Sequence, residues 1–412
     1  MPITSEPEKL RRVLWELRRR LMNQIDTKMP LGIQRDLAVV AISTFIWGLG
    51  EGLFIFFLPL ALQRWNSDTV QIGAVLSMIG VTMAVVQVPA GYLSDRFGPR
   101  PLIFASLLLG IVSAIVMAAA RSLPFFVAGL LAYGCTSFIS APLNSYYTSL
   151  RGSWSVQRAV TFHAAAFQAG AILGPILGGW IANTAGLSIV FRYSAGLFLV
   201  STLVMSLARR PLVLEHQEAS VHLVSPITNP RFLGLLAVVF FTIIAISVPQ
   251  QLTSLYLQNV HHISIQQIGT MGTMASIGTA IIAYSLGNLR LSTGMLIAQL
   301  LLAGFALLMW RGQGVMAYFV GYFFIGGYQL YRSMALAFSR SLVKVGNTGL
   351  AYGLVETGNA LAVVVAPLAA GFLYSYRPEA VYIASLVALA LTIGLNMLLF
   401  HENRKEILPA QT

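Results

Sequence analysis

Gly91-Tyr92-Leu93-Ser94-Asp95-Arg96-Phe97-Gly98-Pro99-Arg100-Pro101-Leu102 places three charges in twelve residues of a chain that is only 10% charged. Apolar runs flank it near 70–93 and 101–120, and each is long enough to cross a bilayer, which takes about 20 apolar residues per helix. The segment therefore reads as a polar hinge between two membrane helices. Working outward, the same alternation recurs along the chain. Spans are expected near 37–62, 70–93, 101–120, 122–149, 159–183 and 187–208, then near 231–258, 265–287, 293–310, 314–339, 348–374 and 378–400.

Composition agrees with twelve crossings. Of 412 residues, 57% are hydrophobic, whereas a soluble chain carries about 25% charged residues. No large water-soluble domain fits beside the spans. The lone cysteine, Cys135, excludes an intrachain disulfide and a cysteine-rich metal site. No metal and no cofactor is expected.

The two sets of six spans have nearly equal length, and they share local patterns. Gly174-Pro175-Ile176-Leu177-Gly178-Gly179 aligns with Ala366-Pro367-Leu368-Ala369-Ala370-Gly371 at an offset of 192 residues, and Leu62-Gln63 with Leu257-Gln258 at 195. An even number of spans per copy restores the same orientation, so the copies are parallel. The expected fold class is an all-α membrane protein, with twelve transmembrane helices in two parallel six-helix bundles. The expected division is a basic amphipathic tail at 1–36, bundles at 37–208 and 231–400, a connector at 209–230 and a short tail at 401–412.

The chain carries 26 basic and 14 acidic residues. In a soluble protein this excess would suggest nucleic acid; here the location of the charges is what matters. With both termini in the cytosol, and the eight basic residues of the tail set aside, twelve basic residues fall inside and five outside. The positive-inside rule selects that orientation. The excess reports topology, and no nucleic-acid partner is expected. In the tail, Leu10, Val13, Leu14, Leu17 and Leu21 recur at helical spacing opposite Lys9, Arg11, Arg12, Arg18, Arg19 and Arg20, as in a helix lying on an anionic leaflet.

The hinge resembles the signature loop of the major facilitator superfamily: Gly91, the acidic-basic pair Asp95-Arg96, then Gly98 and Arg100. Pro99 departs from the pattern, since that position is commonly basic in the family. The resemblance implies alternating access by two rocking bundles, with Gly91, Asp95, Arg96, Gly98 and Arg100 forming a cytosolic gate. Asp95 would be drawn to the amino end of the eleventh span, near Asn347 and Thr348, where a helix carries about half a positive charge. The matching loop of the second half, Gly287-Asn288-Leu289-Arg290, lacks the acid. In the fifth span, Gly170, Gly174, Pro175, Gly178 and Gly179 resemble a motif of the twelve-span drug/proton antiporters in that superfamily. Small residues on one stripe let a second helix approach closely. An arginine usual in the fourth span of those antiporters is replaced by Leu130, so any coupling must use other groups.

Glu51 in the first span, bracketed by Gly48, Gly50 and Gly52, is the first candidate. A charged group at such depth costs about 2.5–3.5 kcal/mol on insertion scales. A dry carboxyl keeps its proton and a wetted one releases it, which is the minimal physics of proton coupling. Arg332 in the tenth span and Glu356 in the eleventh reach similar depth on consecutive helices, so they are expected to pair, to hold an anionic solute, or both. Tyr328 and Gln329 share the polar side of Arg332, and Asn359 that of Glu356. His163 is expected to serve helix packing, and Gln87, Gln168, Gln250 and Gln251 to line a cavity or join helices.

The expected protein is not an enzyme: no nucleophile-base set stands out, and none of the four lysines, Lys9, Lys28, Lys344 and Lys405, occurs in a phosphate-cradling Gly-Lys-Ser/Thr. It is expected to be a monomeric, multi-pass cell-membrane transporter with a small-molecule substrate, a proton and the lipid bilayer as partners. Proton-coupled export of an amphipathic compound leads. Movement of a polar metabolite such as a sugar or organic anion, or a non-transporting sensor, are the alternatives.

Overall fold

A computed structural model of the chain describes residues 35–150, 154, 156–208, 229–343 and 348–407, with no strand among them. The expected amphipathic tail, almost all of the connector and the last residues of the chain lie outside this range. Nine helices among the described residues are long and apolar enough to cross a membrane. They are the first, second, third, fifth, sixth, seventh, ninth, eleventh and twelfth spans of the sequence pattern. The fourth and tenth miss the length because each is broken. The eighth, Ile265–Leu286, carries Gln266, Gln267, Thr270, Thr273, Ser276 and Thr279. The twelfth runs on as helix to Ile407, past the expected end at 400, because Glu, Arg and Lys are good helix formers where the chain turns polar.

Three expected single helices are interrupted. The first span is Arg35–Gly52, a 3₁₀ turn at Ile55–Phe57 and Leu58–Gln63. Glycines on both sides of Glu51, and Pro59 in the first turn after the break, weaken the helix there. The fourth span is Leu123–Cys135, a 3₁₀ turn at Thr136–Ile139 and Ser140–Leu150. The tenth breaks between Val315–Phe324 and Gly327–Ser341.

The halves repeat more closely than the sequence patterns disclose. Asp68 caps the second span in a capping box with Gln71, and Ser264 caps the eighth with Gln267 in the same way. The two caps stand 196 residues apart. Each capped helix crosses to the other half by matched contacts. A Cβ at Gly73 would meet the Pro367 carbonyl, and one at Gly269 would meet the Pro175 carbonyl. Ser77 donates to the Val364 carbonyl. Its counterpart Thr273 donates to the Ile172 carbonyl at 2.8 Å. Only glycine admits a backbone this close.

Not every contact is matched. Pro175 lacks the N–H that would bond the Ala171 carbonyl, and Ser276 of the other half donates to that carbonyl at 3.2 Å. The position matching Ser276 is Gly80, which offers Val363 no hydroxyl. Gln168 Nε2 adds a bond to the Ser276 carbonyl at 3.3 Å.

These inter-bundle bonds occupy the middle and the face opposite the 91–102 hinge, here called the far face. Toward the hinge face the halves part. A Cβ at Gly353 would meet nothing within 4 Å, and Tyr284 near the end of the eighth span is 88% exposed. The structure is closed at the far face and open at the hinge face.

Removing the Ser276 bond should loosen the closed face. Ser276→Ala leaves the Ala171 carbonyl unpaired, a change of about 1 kcal/mol, or fivefold in the opening equilibrium. With Cys135 replaced, spin labels at Arg64 and Arg311 near the far face should show that increase in the longer-distance population. An unchanged distribution would remove Ser276 from the closure.

Candidate functional site

The broken first span determines what Glu51 meets. Phe54 N–H bonds the Glu51 carbonyl at 3.1 Å, a 3₁₀ pattern that ends the regular helix just past the carboxyl. The Tyr133 hydroxyl and the Trp47 indole N–H are the donor groups beside the carboxyl, and all three residues line one cavity. Tyr133 lies on the fourth span, just before that span's own break. Among the described residues these partners are neutral donors, and none is a cation. Trp47 is fixed by stacking on Phe198, with ring centroids 4.1 Å apart.

Glu51 lines a cavity of about 490 Å³ inside the first bundle. Trp47, Ile79, Met83, Leu107, Phe167 and Met205 give it apolar walls. Its polar groups are few: Glu51, Tyr133, and hydroxyls that include Thr44, Thr136 and Ser137, with His163 on the fifth span. Met83, Ser140 and Ala164 on the wall are exposed, so the cavity communicates with open space. A largely apolar pocket with few placed polar groups suits a small amphipathic ligand.

His163 does pack, as expected, against Tyr147 with centroids 4.1 Å apart. It also lines the cavity and lies 3.4 Å from Thr44 Oγ1 through Nδ1. Thr44 Oγ1 is in turn 2.6 Å from the Tyr147 hydroxyl.

The second candidate sits in the other bundle. Arg332 grips Glu356 at two points, Nε to Oε1 at 3.1 Å and Nη2 to Oε2 at 2.7 Å. Both side chains are 36% exposed, so this fork-to-fork pair is neither dry nor freely solvated. Tyr328 donates to Asn359 Oδ1 at 2.8 Å beside it. Glu356 precedes Pro367 by eleven residues, about 20° from three full turns. It therefore shares the stripe by which the eleventh span faces the second, at the level where the halves have parted.

The glycine stripe of the fifth span seats the first span. Cβ atoms at Gly170, Gly174 and Gly178 would meet Phe45, Gly52 and Leu53 backbone respectively, that at Gly174 only 2.6 Å from Gly52 Cα. Gly179 instead faces Gly269 of the other half. The stripe thus positions the segment carrying Glu51.

At the hinge, Gly98 takes φ +78° and ends the second span at Phe97, a conformation glycine adopts without strain. Pro99 starts the third span at its first turn. Arg96 lies over the Phe97 ring at 5.5 Å, and Arg100 over Phe104 at 5.6 Å. The side chain of Asp95 and the loop residue Asn347 lie outside the described residues, as do side-chain contacts of Gly91 and Thr348. None of the four glutamines lines the Glu51 cavity. Gln168 joins the halves, and Gln250 Nε2 is buried without a partner.

Sequence reasoning passed over Trp47, Thr44, Tyr133 and Tyr147. Thr44, Trp47 and Tyr133 stand in apolar runs and Tyr147 in the polar stretch 144–149; Trp47, four residues before Glu51 and so one turn away, carried the plainest spacing signal.

Comparison with known proteins agrees with this architecture. The family model described as Major Facilitator Superfamily matches residues 40–327 and 232–410. An uncharacterized MFS-type transporter of Methanocaldococcus jannaschii is 21% identical over 67% of this chain and 74% of its own length. The class G tetracycline resistance protein of Vibrio anguillarum is 33% identical over 36% of this chain and 38% of its own. Multidrug resistance protein 2 of Bacillus subtilis is 23% identical over 47% and 50%; the matches to these two resistance proteins thus span half their length or less. Among solved structures, the nucleoside transporter NupG superposes with a TM-score of 0.73 at 12% identity, over 89% of this chain and 98% of that one. The human organic anion transporter MFSD10 superposes at 0.60 and 18% identity, over 90% and 99%. At these identities the structural likeness is one of fold. Two parallel six-helix bundles, matched contacts between them and a family match along nearly the whole chain make this multi-pass membrane protein a member of the Major Facilitator Superfamily.

Proposed function

We propose that this transporter exports an amphipathic solute in exchange for protons, with Glu51 as the coupling carboxyl. The observation that carries the proposal is the environment of Glu51: an apolar cavity that it lines together with the neutral donor groups of Tyr133 and Trp47. A carboxylate without a resident cation in a low-dielectric cavity is stabilised by binding either a proton or a donor-bearing cargo. Competition between those two for one group is sufficient to couple their movements. The names of the tetracycline and multidrug resistance relatives support export over uptake.

The positive-inside distribution supports a cytosolic hinge face and cytosolic termini, an orientation in which the open side faces inward. Asp95 at the cytosolic end of the second span would close that side by approaching the amino end of the eleventh. Arg332 and Glu356 form a second polar site on the wall that parts from the first bundle. The protein acts as a monomer in the cell membrane, since each chain contains both bundles.

Three measurements test the assignment. In proteoliposomes under an imposed pH gradient, Glu51→Gln should abolish gradient-driven accumulation of a fluorescent amphipathic dye while the protein stays folded. Persisting proton coupling would clear Glu51. Asp95→Asn should slow turnover and leave dye affinity unchanged; full turnover would remove Asp95 from the gate. Exchanging the charges, Arg332→Glu with Glu356→Arg, should recover the melting temperature that either single change lowers and still leave transport impaired. Recovered transport would make the pair structural only.

A further inference from the structure

The cavity holds one titratable side chain used neither in gating nor in proton release, His163. Its hydrogen bonding is fixed by the valence of a neighbouring hydroxyl. Thr44 Oγ1 has one hydrogen and two lone pairs. The Val40 carbonyl can only accept, so it takes that hydrogen. The remaining contacts must both be received. Tyr147 therefore donates to Thr44 at 2.6 Å, and His163 donates from Nδ1 at 3.4 Å. In a neutral imidazole the proton on Nδ1 leaves Nε2 as a bare acceptor. No described residue hydrogen-bonds Nε2, and the ring stands on the cavity wall beside Ala164 and Phe167. Packing at a tilt against the Tyr147 ring holds the imidazole in place.

We infer that His163 is a cargo-recognition residue whose Nε2 accepts a hydrogen bond from an N–H or O–H group of the transported solute. The inference deepens the export reading above and rests on it. Thr44 and Glu51 are seven residues apart on one helix, about 10 Å along its axis. The cavity thus presents an acceptor near each end of an apolar slot, with Trp47 between them. The ligand class that matches is a flat amphiphile with hydrogen-bond donors at its polar ends. A solute offering only lone pairs or N-alkyl groups at that position meets an unpaired acceptor and binds more weakly.

Two dyes separate the cases. Rhodamine 6G carries secondary amine N–H donors; tetramethylrhodamine ethyl ester is a cationic xanthene ester without any N–H. Fluorescence polarisation with the detergent-purified full chain should show rhodamine 6G binding about three- to tenfold more tightly, the value of one hydrogen bond. His163→Asn keeps a donor toward Thr44 and removes the Nε2 acceptor, so it should abolish the preference by bringing the two dyes to similar affinity. His163→Gln, which returns an acceptor near the Nε2 position, should restore the preference. His163→Phe preserves the ring packing and should behave like His163→Asn. A preference that survives His163→Asn and His163→Phe overturns the inference, as does equal weakening of both dyes or no preference in the wild-type protein. Failure of the wild-type protein to bind either dye overturns the amphipathic-cargo reading and this inference with it.

Discussion

The approach of two backbones to one another, repeated twice about the axis relating the halves, is the constraint on which the structure depends. Gly73 against Pro367 and Gly269 against Pro175 admit no side chain between them. Ser77 and Thr273 then reach carbonyls of the opposite bundle next to those contacts. Helices in lipid gain little from burying apolar surface against each other, so close packing and hydrogen bonds between polar tips carry the association. Because each contact is small and confined to one level of the membrane, the halves can separate there without unfolding anything else. Closure at the far face and opening at the hinge face follow from where these few contacts sit.

The proline in each of the fifth and eleventh spans has a double effect. It withholds an N–H from its own helix, which frees a carbonyl, and it lets the facing glycine helix lie against it. In the fifth span the freed Ala171 carbonyl is satisfied from the other half by Ser276. In the seventh span, Pro249 likewise frees the Ala245 carbonyl, and Ser385 of the same half satisfies it at 2.6 Å. The chemistry is identical and the consequence differs. A bond within one bundle travels with it as a rigid unit, whereas a bond across the interface is made only when that interface is closed.

Much of this was legible in the sequence. Twelve apolar runs, the 192-residue offset around Pro175 and Pro367, and the hinge at 91–102 suffice for the fold. The depth argument placed Arg332 and Glu356 on the same level, and the structure has them in a two-point ion pair. The helix breaks after Gly52, Cys135 and Phe324 were not legible, because hydrophobicity does not distinguish a continuous helix from one interrupted by a 3₁₀ turn. The partners of Glu51 were hidden for a related reason. Tyr133 is a single aromatic in an apolar run, and nothing local says which way it faces. The capping boxes at Asp68 and Ser264 had the recognisable spacing of an acceptor three residues before Gln, and their equal placement in both halves was a stronger repeat signal than the paired Leu-Gln.

The two bundles accommodate a membrane carboxyl in opposite ways, and the difference bears on coupling. Glu356 is neutralised by Arg332, a partner within its own half. Charge on that pair is balanced by a two-point contact inside one bundle, which the opening or closing of either face does not itself break. Glu51 is balanced by nothing ionic among the described residues; it shares its cavity with the neutral Tyr133 hydroxyl and Trp47 indole. Compensation of its charge is therefore left to water, a proton or a donor-bearing solute. Under the exchange proposed above, the carboxyl without an ionic partner is the one left for a proton or a cargo donor to occupy, and the paired carboxyl is already occupied by its arginine.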